Sequence, residues 1–306
     1  MKKSLLKFVP IAAIGMLSFA SCQKQSQSVS STGTSGHNAT TIIASIPAFE
    51  TYSNSDLRTQ FADVGTLHSQ GLDYVYSKLD SIYDNNGIID TSDFVPMFKT
   101  YTNGFAQANL TNISTDLHTM TANVVPDFFD TYLHSNSDLS LTYIQNKLNT
   151  TFSTAFTSTF NSILSILDNN SLSVNDKITQ WSALISDNSL NALANNTERA
   201  AIICGVNVAI ADAQYWGNTA NNNKWDNLPP TQTNKVMGAR LSQDAKNDIV
   251  GAVGGAAETL LEFGGTAAAF GPGAVTAVAV LGAVKGAITG TAGAIIIDKV
   301  WDWLGL

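Results

Sequence analysis

Gly271-Pro272-Gly273 divides the C-terminal region, residues 251–306, into two apolar segments that are rich in Gly and Ala. Proline and glycine end helices and let the chain reverse its direction. A helix that is apolar on all sides has to be buried, in protein or in lipid. The sequence therefore predicts an antiparallel helical hairpin, around which the rest of the chain is organised.

The second segment of this hairpin has glycines at helical spacing, namely Gly282, Gly286, Gly290 and Gly293. At about 100° per residue they fall within one narrow arc and form a groove without side chains. Such grooves let two helix backbones approach closely, in membranes and in soluble proteins alike. The groove predicts close helix packing and also allows a homo-oligomer.

Charged residues suggest how the two helices are aligned. A hairpin that is symmetric about Pro272 places Lys285 beside Glu258 and places Asp298 level with Lys246. A lone charge inside an apolar helix costs several kcal/mol, so opposite charges at one depth favour this register. We therefore predict the charge pairs Lys285–Glu258 and Lys246–Asp298. A helix break at Gly264-Gly265 would shift the register by a few residues.

Residues 275–297 are long enough to cross a bilayer. They consist mainly of Ala and Gly, with Lys285 near the middle, which is a poor composition for an autonomous transmembrane helix. Burial within the protein is therefore the predicted resting state. Trp301 and Trp303 suit either a membrane interface or packing against other helices.

Residues 41–230 have helical periodicity, and with the hairpin they predict an all-α, multi-helix bundle. One amphipathic helix is predicted from a stripe of mainly apolar residues: Phe61, Val64, His68, Leu72, Val75, Leu79 and Ile82. Further helices are predicted at 92–109, 126–134, 140–167, 173–186 and 196–216. The last of these is predicted to be central, with a capping box formed by Asn195 and Glu198. Residues 229–241 are predicted to link this domain to the hairpin.

The N-terminus has the pattern of an export signal over residues 1–21, in which Lys2, Lys3 and Lys7 precede an apolar run and Ala20-Ser21-Cys22. Cys22 resembles the lipidated cysteine of bacterial lipoproteins, although Phe19 stands where Leu is usual. Ordinary secretion with cleavage near Cys22 is the alternative. Residues 22–40 consist mainly of Gln, Ser, Thr and Gly after Cys22, with almost nothing apolar, and predict a flexible tether. The predicted divisions are thus 1–21, 22–40, 41–230 and 231–306.

The composition of the chain indicates which partners and which disulfides are possible. The chain has 306 residues, 44% of them hydrophobic and 13% charged, with a formal net charge of −8. Removal of residues 1–21 takes away three lysines and no acid, so the charge becomes −11, which argues against nucleic acid as a partner. Cys22 and Cys204 are the two cysteines, and acylation of Cys22 would leave no intramolecular disulfide. Cys204 lies in an apolar run and is predicted to be a buried thiol.

Catalytic and cofactor motifs are absent from the sequence, which has no nucleotide-binding loop, no H-E-x-x-H and no G-x-S-x-G. Asp127, Asp130 and His134 share a helical face, but acids in a first helical turn explain this pattern better than a metal. Residues 84–93 imitate part of a calcium loop, yet Ile82 occupies the first ligand position and Asp93 replaces the bidentate Glu. We predict no metal, no cofactor and no enzymatic activity.

Several features of the chain together resemble uncharacterised lipoproteins of Bacteroidota. They are the signal, the tether, the glycine-rich tail and the phrase Leu67-His68-Ser69-Gln70-Gly71-Leu72-Asp73-Tyr74. The tail also looks like the glycine-rich helices of bacteriocin-like peptides. The resemblance implies an outer-membrane lipoprotein, attached to the membrane through lipid on Cys22, with a structural or interaction role. One alternative is a membrane-inserting protein whose helical domain encloses the hairpin. The other is an envelope hydrolase, which predicts Asp and His residues converging in a concave site.

Overall fold

The computed structural model describes residues 46–47, 49–86, 94–122, 148, 150–226 and 237–304. Every regular element in these residues is a helix, so the predicted all-α multi-helix fold is confirmed. Residues Thr40–Leu306 form one compact unit, so the predicted boundary at residue 230 does not separate two bodies. The predicted signal peptide, Cys22 and the tether lie outside the described residues.

The helices in chain order are α1 (Asn54–Gln60), α2 (Val64–Asn86), α3 (Phe94–Asn109), α4 (Thr115–Met120), α5 (Thr154–Asp168), α6 (Val174–Leu184), α7 (Asp187–Asn191), α8 (Asn196–Tyr215), α9 (Thr219–Asp226), α10 (Met237–Ala268) and α11 (Pro272–Leu304). Serine hydroxyls cap the N-termini of five of them, α1, α4, α5, α6 and α7. A serine oxygen accepts from a backbone N–H that would otherwise lack a partner at the helix start. The many serines of this chain therefore help to set where its helices begin.

Helices with strong apolar periodicity were predictable, and short ones were not. The predictions for 92–109, 173–186 and 196–216 match α3, α6 and α8 to within a few residues. The short helices α1, α4, α7 and α9 have no predicted counterpart, because five to eight residues carry too little periodicity. The predicted helix at 126–134 lies outside the described residues.

Two predicted boundaries are wrong. The helix predicted over 140–167 is interrupted, because Ser153 caps α5 and has an extended backbone. The N–H and the hydroxyl of Ser153 donate to the carboxylate of Glu198, both at 2.8 Å, and these contacts fix the chain at the interruption. The predicted linker, 229–241, ends earlier than expected, since α10 begins at Met237.

The helices α2 and α8 carry the core that surrounds the hairpin. The stripe predicted for α2 is buried at each of its positions from Val64 to Leu79. In α8, the run from Ala200 to Val206 has zero exposed fraction at its apolar positions, so the predicted central helix is confirmed. A Cβ atom added to Gly65 would lie 2.3 Å from the carbonyl oxygen of Asn207, which shows how closely α2 approaches α8.

The cap of α8 differs from its prediction in one bond. The side chain of Asn195 accepts from the N–H of Glu198 at 3.0 Å, as predicted. The carboxylate of Glu198, however, accepts from the N–H of Ala194 at 2.9 Å and from Ser153. Glu198 thereby joins the starts of α5 and α8.

Candidate functional site

The helices α10 and α11 lie antiparallel, with glycine backbone in contact with backbone. We call this contact, formed by Gly251 and Gly255 of α10 with Gly282 and Gly286 of α11, the glycine interface. A Cβ atom added to Gly286 would lie 2.1 Å from the carbonyl oxygen of Gly251, and one added to Gly255 would lie 2.1 Å from that of Gly282. No side chain fits at such distances without separating the helices.

The predicted groove takes part in this contact at Gly282, Gly286 and Gly290. Gly290 continues the series, because a Cβ atom there would lie 2.3 Å from the carbonyl oxygen of Asn247. Gly293 belongs to α11, but its surroundings lie outside the described residues. Three of the four predicted groove glycines thus face α10 within the same chain.

The predicted register is wrong by about two helical turns. The facing glycines are symmetric about the bond between Ala268 and Ala269, not about Pro272. The reversal occupies the residues between Ala268 and Pro272, and Gly271 adopts a left-handed φ of 97° there. The contact between glycines, not the position of the proline, fixes how the helices align. The helix α10 runs through Gly264-Gly265 without a break.

The predicted pair Lys285–Glu258 is therefore also wrong. Lys285 has an exposed fraction of 1%, and its ammonium group donates to the carbonyl oxygen of Thr121 at 2.8 Å and to the hydroxyl of the same residue at 3.3 Å. Burial lowers the pKa of Lys285 to about 8. The cation is thus bound by neutral oxygens from the chain just after α4, because the register places Lys285 away from Glu258.

Lys246 is also bound outside the hairpin. Its ammonium group lies 2.7 Å from the carboxylate of Asp168 at the end of α5. The side chain of Asp298 lies outside the described residues, so the pair predicted between Lys246 and Asp298 stays a prediction. The two hairpin lysines whose side chains the structure describes, Lys246 and Lys285, therefore contact elements that surround the hairpin.

The structure brings together three ionisable residues, His68, Asp212 and Asp248, which we call the buried triad. They lie on α2, α8 and α10, and each has zero exposed fraction. The Nε2 atom of His68 lies 3.0 Å from Oδ1 of Asp212 and 3.1 Å from Oδ2 of Asp248. The indole N–H of Trp216 donates to the same Asp248 oxygen at 3.5 Å. The triad joins the hairpin to both of the helices that carry the surrounding core.

The titration of the buried triad reflects its burial and its charges. Burial lowers the pKa of His68, but the carboxylates of Asp248 and Asp212 outweigh this effect and raise it to about 10. Burial, and next the charge of Asp248, raise the pKa of Asp212 well above its ordinary range, against the opposing effect of His68. Without another cation, the triad therefore tends to hold one proton more than an exposed set would.

The sequence placed His68 in the apolar stripe of α2, and His68 is buried there and bonded to Asp212. The sequence did not predict the partners. A signal was present, since Asp212 directly follows the apolar run from Val208 to Ala211 and Asp248 directly precedes the apolar run from Ile249. In a chain of low charge, an acid at such a position indicates a buried polar contact.

A second polar network lies beside the triad on the same helices. Tyr215 donates its hydroxyl to Asp73 at 2.8 Å, and the indole N–H of Trp225 donates to the Tyr215 oxygen at 3.0 Å. Lys224 contacts the same carboxylate, which is half exposed. Burial raises the pKa of Tyr215, so its hydroxyl remains protonated. This network fastens α9 onto α2 and α8.

The end of α10 and the turn of the hairpin, residues 261–274, are mostly exposed, although Gly264 and Ala267 are buried, and we call this range the hairpin tip. Leu261 has an exposed fraction of 44% and Phe270 one of 70%. No charged residue occurs between Glu262 and Lys285. Apart from Glu262, which is exposed at its start, the tip therefore presents uncharged and partly apolar surface to solvent, unlike the enclosed glycine interface.

Within the described residues, the segment Pro272–Gly290 of α11 is long and apolar enough to cross a membrane, with a mean hydropathy of 1.5. Of this segment, 83% is buried inside the protein. The core helix of a soluble protein has the same properties, so length and composition alone decide nothing here.

The remaining residues considered in the sequence do not form a further site in the described part of the chain. Cys204 is buried, and burial raises the pKa of its thiol, as suits a small hydrophobic residue. His118 is buried too, and its Nε2 lies 3.2 Å from the carbonyl oxygen of Leu110. Asp127, Asp130 and His134 lie outside the described residues, as does most of the calcium-like stretch 84–93.

Comparison of the chain with models of protein families finds no match. Comparisons with curated proteins and with solved structures find none either. The interpretation of the site therefore depends on its own geometry.

Proposed function

We propose that the protein is a non-enzymatic lipoprotein of the bacterial outer membrane, held there by lipid on Cys22, in which the hairpin is a permanent part of the folded core. The export signal, Ala20-Ser21-Cys22 and the polar tether support the anchor. Gln23 after the cysteine suits the outer membrane in the familiar sorting rule. The role is structural or one of interaction, presented on a body of packed helices.

One observation carries the proposal for the hairpin: its buried polar groups bond to the helices around it. Lys285 bonds to Thr121, and Asp248 bonds to His68. A hairpin that leaves for a bilayer would break both contacts and carry a cation and a carboxylate into hydrocarbon. These bonds favour a hairpin that remains in the core.

The anchor is tested with the two cysteines as a matched pair. Cys22→Ala is expected to move the protein from the membrane fraction to the soluble fraction and to abolish labelling with a radioactive fatty acid. Cys204→Ala is the control, because the buried thiol of Cys204 has no place in lipidation. Unchanged fractionation of Cys22→Ala would show that the anchor is elsewhere.

A second candidate function, insertion into a target bilayer, is favoured by the hairpin tip. Its exposed Phe270 and the absence of charge between Glu262 and Lys285 give it a surface that lipid accepts. In this account the surrounding helices enclose the hairpin until the tip meets a membrane. The glycine interface would let the two helices move as one unit.

Dye-loaded vesicles of anionic lipid distinguish the two functions, with the full chain as the reagent. A permanent core hairpin predicts no dye release between acidic and neutral pH. Insertion predicts release that falls sharply in Phe270→Glu, because a charge at the tip opposes entry into lipid. Release by both proteins to the same extent would point to a mechanism that does not use the tip.

A further inference from the structure

The buried triad is the place where polar groups of three helices converge without access to solvent. His68, Asp212 and Asp248 each have zero exposed fraction, and one potential ligand atom from each lies within 4.8 Å of the others. Buried ionisable groups persist when they are paired or when they bind a metal. The contacts of the triad show which of these conditions is met.

Hydrogen bonds within the triad are incomplete. The single Nε2 atom of His68 faces two carboxylate oxygens at almost equal distance, 3.0 and 3.1 Å, and one N–H cannot point at both. Two other atoms of the triad, Oδ2 of Asp212 and Nδ1 of His68, are buried and have no hydrogen-bond partner in the structure. These orphaned atoms are a second and independent sign that something polar completes the cluster.

We propose that His68, Asp212 and Asp248 bind a divalent metal ion that joins the hairpin to the surrounding helices. A doubly charged ion with two carboxylates and a neutral imidazole leaves no net charge in the interior. The orphaned Asp212 Oδ2 supplies a further ligand, either by bidentate binding or through a water. The prediction of no metal, which relied on sequence motifs, is replaced by this proposal.

The kinds of ligand atom indicate the ion. Imidazole together with carboxylates suits a divalent transition metal such as Mn²⁺ or Zn²⁺ better than Mg²⁺, which prefers oxygen ligands alone. The distances of 3.0 and 3.1 Å from His68 Nε2 are also hydrogen-bond lengths, so they do not distinguish a tetrahedral from an octahedral ion. Mn²⁺ is the probe ion of choice, because its free and bound forms differ in their EPR spectra.

The site is structural, because it is closed to solvent and offers no open position to a substrate. Its ligands come from α2, α8 and α10, so the ion fixes three helices at one point. The indole N–H of Trp216 holds Asp248 from outside the ligand set.

Metal analysis of the full chain, purified without chelators, tests the proposal. About one equivalent of a divalent ion is expected, and stripping with a chelator under mild denaturation and refolding should lower Tm by about 5 °C or more. Stoichiometric Mn²⁺ should restore Tm, and the hyperfine lines of free Mn²⁺ should disappear from the EPR spectrum. Loading with Co²⁺ should change the visible spectrum of the ion, whereas a spectrum identical to that of free Co²⁺ would count against the site.

Variants at the two acids complete the test. Asp212→Asn and Asp248→Asn should bind Mn²⁺ at least about tenfold more weakly, since each neutralises a ligand. Asp73→Asn is the matched control, because Asp73 lies on α2 beside the triad but binds Lys224 and Tyr215. The proposal is overturned if the wild-type chain holds no ion and neither chelator nor Mn²⁺ changes its Tm. A shared proton would then occupy the triad. This test uses the wild-type protein alone, so it does not depend on whether a variant folds.

Discussion

The glycine interface and the hairpin tip differ in what surrounds them. At the glycine interface the backbones of α10 and α11 are in contact, and the nearby Lys285 and Asp248 bond to Thr121 and His68. At the hairpin tip, Gly265 has nothing within 4 Å of an added Cβ atom, and Phe270 is 70% exposed. The hairpin therefore combines an enclosed glycine interface with a tip that is mostly exposed, although Gly264 in the tip packs against Ile46. The glycine interface sets how the two helices align, and the exposed part of the tip is available to a partner or a membrane.

The largest difference should come from the same substitution at the glycine interface and at the hairpin tip. Gly286→Leu adds a side chain where even a Cβ atom would lie 2.1 Å from the carbonyl oxygen of Gly251. The substitution should therefore lower the free energy of unfolding by more than about 4 kcal/mol. Gly265→Leu places the same side chain in open space and should change stability by less than about 1 kcal/mol. Urea unfolding followed by circular dichroism measures both. Equal losses at the two positions would remove the distinction between the glycine interface and the hairpin tip.

The next effect is a dependence of stability on pH that comes from Lys285. Its pKa is about 8 in the folded protein and has the ordinary value of 10.5 in the unfolded chain. Between these values the unfolded state binds more protons, so the free energy of unfolding should rise with pH from 8 to 10.5. The rise is on the order of 3 kcal/mol.

Comparison with Lys285→Met isolates this contribution, because the variant shares every other titrating group. The difference in unfolding free energy between wild type and variant should change in favour of wild type as pH rises. Lys78→Met is the control, because Lys78 is exposed, and its free energy of unfolding should still rise with pH as in the wild type. A difference that stays constant with pH would mean that Lys285 is not buried as a cation.

The smallest effect on stability is expected at the tip. Phe270→Ser removes an aromatic ring that is mostly in solvent, so the free energy of unfolding should change by no more than about 0.5 kcal/mol. Phe263 is only partly exposed and packs against the core, and Phe263→Ser should cost more. Thermal unfolding of the two variants provides the comparison. A large loss in Phe270→Ser would show that the tip is folded against other residues.

The sequence predicted the helices and the glycine groove from periodicity alone. Val64, His68 and Leu72 are buried as the spacing of α2 predicts, and α8 is central as its apolar surface predicts. These predictions succeed because helical spacing places side chains on one face whatever the tertiary contacts are. The short helices are held mainly by serine caps and tertiary contacts, and this explains why periodicity does not reveal them.

Periodicity could not predict how α10 and α11 align or which residues bond to the buried Lys285 and His68. Symmetry about Pro272 was a local argument, whereas the observed alignment depends on which glycines of α10 meet Gly282 and Gly286. The sequence offers Gly254-Gly255 and Gly264-Gly265 as competing positions, and only three-dimensional packing selects among them. For the same reason Lys285 finds Thr121, which is distant in sequence. Likewise, His68 meets Asp212 and Asp248 through contacts among three helices.

Two neighbouring glycines of α10 test most directly whether contact between backbones closes the hairpin. An added Cβ atom at Gly255 would lie 2.1 Å from the carbonyl oxygen of Gly282, and one at Gly254 would meet nothing within 4 Å. Gly255→Ala should therefore lower the free energy of unfolding by about 1–3 kcal/mol, whereas Gly254→Ala should raise it by up to about 1 kcal/mol. Urea unfolding of both variants that shows these opposite signs supports the glycine interface, and stabilisation by both alanines would contradict it.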